Sequence, residues 1–452
     1  AQTDTFWIQN RHVPLKEKES ALDDLLAQLR KVPAFNVIIK TAEILITGYI
    51  PTTADKDKSK FDFGPMNTTF SANHLEGFRM RVGGMTTANL NPHWFGSGYL
   101  AYGVNDRKLK YNAKLTYSVN KKKYHEGESP VNNISAIQEY DVYTPGQDFL
   151  FTSKDNMFVA WKVGEPVTMM QYIRKTMLQY QKEWLNGLTL TTWARNENNE
   201  AAGTLRYDRY DADGTLTNLK SFTNTELGTQ LRFAPGERAY NGREGKNSLF
   251  NLSKDAPVFK LSHQMGLKNV LGSDFNYNHT EISAEKRIWL SSFGHIDALV
   301  TAGKVWDKVP FPLLIMPNTN QSITIQPQAF NMMRALEFVS DQYVSFYFTY
   351  YMKGWILNRI PGVKWLRLRE VISFSGFYGG LTDKNNPALD PTGLYRFPEG
   401  TSPMGRTPYL EASVGLENIF KILRIDYYRR LTYLDQPNIK KGGVRIALRF
   451  SF

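Results

Sequence analysis

Cysteine is absent from all 452 residues. That excludes disulfide frameworks, thiol nucleophiles and thiolate metal sites. No run approaches the roughly eighteen consecutive apolar residues of a membrane-spanning helix, and mean hydropathy is -0.41. A bundle of transmembrane helices is therefore excluded. A transmembrane β-barrel is not, because its strands alternate and average to a mildly polar profile. The start at Ala1 has neither a basic n-region nor an apolar h-region, so any signal peptide is expected to have been removed.

Catalytic signatures are equally sparse. His12, His74, His93, His125, His263, His279 and His295 are scattered, and no His-Glu-x-x-His helix occurs, which argues against a zinc hydrolase. His295 and Asp297 share a strand face, read as interior polarity rather than a catalytic pair. Gly96–Gly98 lacks the context of a nucleophile elbow, and Gly242–Lys246 lacks the P-loop spacing. Asp208, Asp211, Asp213 and Gly214 read as an Asp-Gly turn rather than a calcium loop. The expectation is a non-enzyme with no cofactor and no metal. The +12 net charge spreads over strands and loops rather than one helix, so nucleic acid is not an expected partner.

What is present is alternation. The chain is 42% hydrophobic and 13% aromatic, enough to exclude wholesale disorder. Residues 1–60 are expected to form a short helical segment, either a small subdomain packed at the barrel's end or a plug or periplasmic or interfacial anchor. Leu15, Leu22, Leu25, Leu26 and Leu29 recur at helical spacing and Pro33 ends the run. Residues 61–452 are expected to form the barrel. From Gly77 onward the period is two: Leu109, Tyr111, Ala113, Leu115, Tyr117 and Val119 oppose Lys110, Asn112, Lys114, Thr116 and Ser118. About fourteen such runs, many of the length a tilted strand needs to cross a bilayer, predict an all-β, transmembrane antiparallel β-barrel of 14–16 strands. The uncertain pair lies in the links Pro145–Asn186 and Ala234–Ala256. Glu165–Trp184 reads as a helix on the spacing of Met169, Tyr172, Ile173, Thr176 and Tyr180. Long outer loops are expected at 306–342 and 379–407, with short inner turns between.

Charges deep within the runs require an enclosed interior, since a lipid-facing charge at mid-depth costs about 2–4 kcal/mol. The expected lumen-facing set is Arg79, Arg81, Lys110, Lys114, Glu281, Glu285, Arg287, Arg367, Arg369, Glu411, Arg424, Arg445 and Arg449. Trp94, Tyr99, Tyr102, Trp193, Trp289, Trp306, Trp355, Trp365, Tyr427 and Tyr428 are expected to form interfacial girdles. The last run points Val444, Ile446, Leu448, Phe450 and Phe452 one way. A terminal strand closing on an aromatic residue resembles the targeting signal of bacterial outer-membrane proteins, recognised by strand addition.

The segments Glu76–Gly84, Gly98–Gly103, Phe330–Met333, Glu337 with Phe338, Asn358–Val371 and Pro408–Phe420 carry a family likeness. Together with Phe6 and Trp7 they resemble a family of outer-membrane barrels described as carrying an upstream carboxypeptidase-regulatory-like domain. That barrel is in turn distantly similar to the BamA/TamA surface-antigen superfamily. The resemblance implies sixteen strands and a long sixth outer loop, for which Trp306–Gln342 is the positional candidate. The Val-Arg-Gly-Phe/Tyr tetrapeptide that ties this loop to the wall in the insertases is absent. The resemblance implies a bacterial outer-membrane location and contact with outer-membrane lipid and lipopolysaccharide. It further implies a non-enzymatic role, with other outer-membrane or periplasmic proteins, in outer-membrane protein biogenesis, secretion or export. The alternative is a gated or plugged pore with a basic lumen.

Overall fold

The computed structural model describes residues 48–163, 166–237, 239–240, 250–251 and 255–448. The expected helix in residues 1–60 falls largely outside this range. Within it, Ile50–Pro51 is extended and Lys56–Lys58 is a single 3-10 turn.

Eighteen strand segments form one sheet. Fifteen are continuous staves, numbered here β2 to β16: Gly77–Thr86, Trp94–Gly103, Leu109–Ser118, Asn132–Tyr143, Met169–Glu183, Leu188–Gly203, Ser221–Phe233, Val258–Gly266, Tyr277–Trp289, His295–Val305, Gln342–Tyr351, Arg369–Gly380, Tyr409–Ile419, Leu423–Arg430 and Gly442–Leu448. Each pairs antiparallel with the next. Phe61–Phe63 and Phe70–Asn73 lie along the same edge of β2, as one interrupted strand β1. Residues 64–69 bulge from it, because Pro65 has no N–H to give the ladder. Gly64 opens the bulge at φ +137, and a side chain there would strike the Gly48 carbonyl.

The fold is thus an antiparallel barrel of sixteen staves. The link Pro145–Asn186 hides one strand, β6. Met169–Glu183 pairs with both neighbours along its length, so the helix expected over Glu165–Trp184 is corrected to a strand. Among the described residues of the link Ala234–Ala256 the strand content is the pair Ala239–Tyr240 and Phe250–Asn251. The remaining stave is β1.

Alternation decides the faces. Phe78, Met80, Val82, Leu100, Leu115, Leu178, Leu261, Ile282, Val300, Val344, Phe374 and Val414 are exposed on the outside, where so large an apolar belt is stable only against an apolar medium. Trp94, Tyr102 and Tyr427 are exposed on the same outer surface, whereas Trp289 shares the inward face of Glu281, Glu285 and Arg287. Tyr99, Trp193 and Tyr428 depart from the expected girdle. They turn inward: the Tyr99 hydroxyl donates to Asp141 and the Trp193 ring N–H to Glu226, while Tyr428 is buried.

Links alternate between two ends, and the end carrying the longer ones is termed outer. The sixth outer link, residues 306–341, and the third, residues 144–168, fold back into the barrel. An apolar core at the outer mouth joins Phe311 and Leu314 of the sixth link to Tyr207, Phe222, Tyr277 and Tyr395.

Candidate functional site: a loop clamped to the wall and a seam it fills

Residues 330–337 of the sixth link rest on β14, β15 and β16. The Glu411 carboxylate, 1% exposed, accepts the backbone N–H groups of Asn331 at 2.9 Å and Met332 at 2.9 Å, and the Tyr409 hydroxyl at 2.9 Å. Arg430 on the next stave grips Glu337 through both nitrogens, at 2.6 and 3.0 Å. Arg445 on β16 donates to the Asn331 carbonyl at 2.6 Å. Phe330 is fully buried against the rings of Tyr347, Phe377 and Tyr409. Alternation explains the placement: Glu411, Arg430 and Arg445 all fall on the inward parity of their staves.

Beyond the clamp the same loop reaches the barrel's seam. Among the described residues no ladder joins β16 to β1. At Ile446 the free edge of β16 is taken by the loop: Ile446 N–H donates to Ile323 and Ile325 N–H donates back to Ile446, a parallel bridge centred on Thr324. The third link covers the loop's other edge. Ile323 N–H donates to Trp161, Val163 N–H to Gln321, and Met157 N–H to Asn67 within the β1 interruption. Where a sixteenth strand would pair with the first, segments of two loops stand instead. Backbone donors at an open edge need partners, and the chain supplies its own.

Other expected interior charges fall into separate groups. Arg79 and Lys110 are fully buried. Arg79 contacts Glu76 at 2.8 Å, Asp141 at 2.7 Å and Asp155 at 3.2 Å, and Arg81 takes Asp155 at 2.8 Å. Lys110 pairs with Glu76 at 2.6 Å and Asp106 at 2.5 Å, and Lys114 with Glu126 at 2.7 Å. This group ties the third link, through Asp155, to β2 and β5. Arg287 forks onto Asp297, and Arg424 onto Asp426. Glu281 accepts the Tyr343 hydroxyl at 2.6 Å, and Glu285 shares its face of β10 and is accessible. Arg369 opens β13, half-buried. Arg367 is a correction: it lies before that strand, exposed, in a left-handed turn at φ 50 after the 3-10 helix Val363–Leu366. Arg449, Phe450 and Phe452 lie outside the described residues. Val444 and Leu448 are exposed outward and Ile446 is half-buried at the seam.

A cavity of about 460 Å³ within the barrel is lined by Asp148, Glu197, Glu226 and Glu281, with Arg195 and His279. Burial first, and the Glu281 carboxylate second, hold the Asp148 carboxyl above its ordinary range, with Arg195 opposing. This cavity carries more acids than bases, unlike the basic lumen of the alternative pore reading, and Arg195 pairs there with Glu226 at 2.9 Å and Glu197 at 3.5 Å. Asp297 is held by Arg287, away from any proton-transfer role with His295. Asp208, Asp211 and Asp213 sit in the hairpin Tyr207–Tyr210 and Leu216–Leu219, where Asn218, Thr217, Thr215 and basic side chains engage them.

Glu337 and Asn331 lie in segments that carry the family likeness, but neither is among the expected site residues. Glu337 had a signal, as an acid stranded among the apolar residues Phe330–Val339. Asn331 had only its place in that likeness, because it meets Glu411 and Arg445 through its backbone.

The fold is similar to that of BamA from Haemophilus ducreyi lacking POTRA domains 1-3. The TM-score is 0.51 at 9% identity, over 91% of this chain and 78% of that one. CdiB from Acinetobacter baumannii aligns with TM-score 0.40 at 12% identity, over 90% of this chain and 66% of that one. CdiB from Escherichia coli aligns with TM-score 0.44 at 11% identity, over 82% and 59%. No curated protein sequence matches the chain. The sequence profile of the C-terminal domain of a family of unknown function, DUF5686, matches residues 42–385, so the chain belongs to that family.

Proposed function

We propose that this barrel resides in a bacterial outer membrane and serves as a non-enzymatic subunit of an envelope assembly handling outer-membrane protein biogenesis, secretion or export. The observation that carries the reading is the seam. The β16 edge is a strand-addition site, held by only a few hydrogen bonds from residues 323–325, and a client strand of matching edge would replace them. The exposed apolar belt supports the membrane location. In this reading an upstream regulatory-like domain precedes the barrel in the intact protein. The partners are outer-membrane lipid, lipopolysaccharide and other envelope proteins.

The test uses the absence of native cysteine. Thr324→Cys with Ile446→Cys locks the loop to β16 on oxidation, and a photo-crosslinking residue at Val444 reports what pairs there in cells. Adducts with outer-membrane proteins undergoing assembly are expected, lost on oxidation and restored on reduction. Adducts indifferent to the disulfide, or their absence, would overturn the reading.

A further inference from the structure

Above the acidic interior lies a second cavity of opposite character. It measures about 1000 Å³ and opens among the third, fourth, sixth, seventh and eighth outer links. Arg206, Arg334, Arg396, Lys440 and Arg445 line it, against Asp208 and Glu399. Arg396 is paired with Asp208 at 2.8 Å. Among the described residues Arg206, Arg334, Lys440 and Arg445 form no ion pair, in contrast to the bases around Arg79.

These four cations grade from solvent into the wall. Arg206 and Lys440 are exposed, Arg334 is half-buried, and Arg445 is 2% exposed. Arg206 is occupied only by the carbonyls of Gly203 and Leu205. Arg445 donates only to the carbonyls of Val444 and Asn331, and its Nε is buried without an acceptor. The Arg334 Nε is likewise buried and unpartnered. Glu411 stands near Arg445 electrostatically, yet its oxygens are taken by Asn331, Met332 and Tyr409. Among the described residues a guanidinium this enclosed, with a donor unused and like charges on the same cavity, has no acidic side chain in contact, and Glu411 offsets only part of the shared positive charge.

We infer that this vestibule is a binding site for a multiply charged phosphate group, with Arg445 at its floor, Arg334 on its wall and Arg206 and Lys440 at its rim. Guanidinium forks match phosphate oxygens two at a time, and a lysine at the rim supplies a mobile point charge. The volume suits a group larger than one phosphate. Two sources share this chemistry, a phosphorylated lipid headgroup and a soluble polyphosphate or sugar phosphate.

The whole chain in non-ionic detergent, titrated calorimetrically with sodium tripolyphosphate at low salt, tests the site. Saturable binding is expected, weakening as salt rises. Arg334→Gln with Lys440→Gln should reduce affinity by about tenfold to a hundredfold, the scale of one or two charge-assisted hydrogen bonds. Lys121→Gln with Lys268→Gln, two exposed lysines elsewhere, should leave it unchanged. Displacement of tripolyphosphate by diphosphorylated lipid A in mixed micelles would identify a headgroup site, and failure of displacement a soluble ligand; both uphold the inference. No binding, or equal affinity in the Arg334/Lys440 double variant with its heat-modifiable mobility intact, would overturn it.

Discussion

Arg430 and Glu337 are 0% and 2% exposed at the side chain and meet at 2.6 Å. Removing one partner of a buried pair strands the other charge and costs about 3–5 kcal/mol, whereas replacing both with apolar residues of similar volume is far milder. Glu337→Leu alone is therefore expected to lower the unfolding midpoint sharply and release the sixth loop to protease. Glu337→Leu with Arg430→Met should recover most of the midpoint. Thermal unfolding and limited proteolysis of the three proteins check this. Inward parity made Arg79, Lys110, Glu411 and Arg445 legible from the sequence, because a charge on a period-two run has only two places to point. Their partners were not legible. Asp155 and Glu337 lie on irregular links, and no periodicity says where a link folds back.

At the scale of the element, fourteen staves were readable from alternation, and the two that were missed have separate causes. In β6 the residues Tyr172, Thr176 and Tyr180 recur every four positions. That spacing satisfies a two-residue period and lies close to one helical turn. Residues 169 and 173 completed the false helix although they occupy the opposite, inward face. The other missed stave, β1, is broken at Pro65 into pieces of three and four residues, too short for a pattern. The reassignment of β6 carries its own test. Leu178 is 56% exposed on the outer face, so Leu178→Arg should cost about 2–4 kcal/mol in a bilayer at mid-depth. Leu178→Met should cost almost nothing. Chemical unfolding in liposomes measures both, and equal stabilities would contradict an outward-facing strand. The terminal stave offers a second. Phe450→Ala with Phe452→Ala is expected to reduce the heat-modifiable folded band in cell envelopes, and an unchanged band would count against a targeting role for these residues.

Across the whole molecule the interior is layered, with a cationic vestibule at the outer mouth, an acidic cavity below it, and two loops filling the seam. Barrels of sixteen strands are wide enough to leave an aqueous channel when nothing occupies them. Here the third and sixth outer links occupy it, held by Asp155 on Arg79, by Glu411 on the loop backbone and by Arg430 on Glu337. The chain reconstituted in a planar bilayer is therefore expected to show no steady conductance. Replacing residues 317–335 with a short Gly-Ser linker removes the seam segment and the Glu411 contacts together, leaving the staves intact. That variant should conduct steadily, with a preference for cations, because Glu197, Glu226 and Glu281 then face open water. A steady, anion-selective channel in the unaltered chain would instead favour transport over assembly. It would also require the two loops to sit elsewhere than against β16 and Asn67.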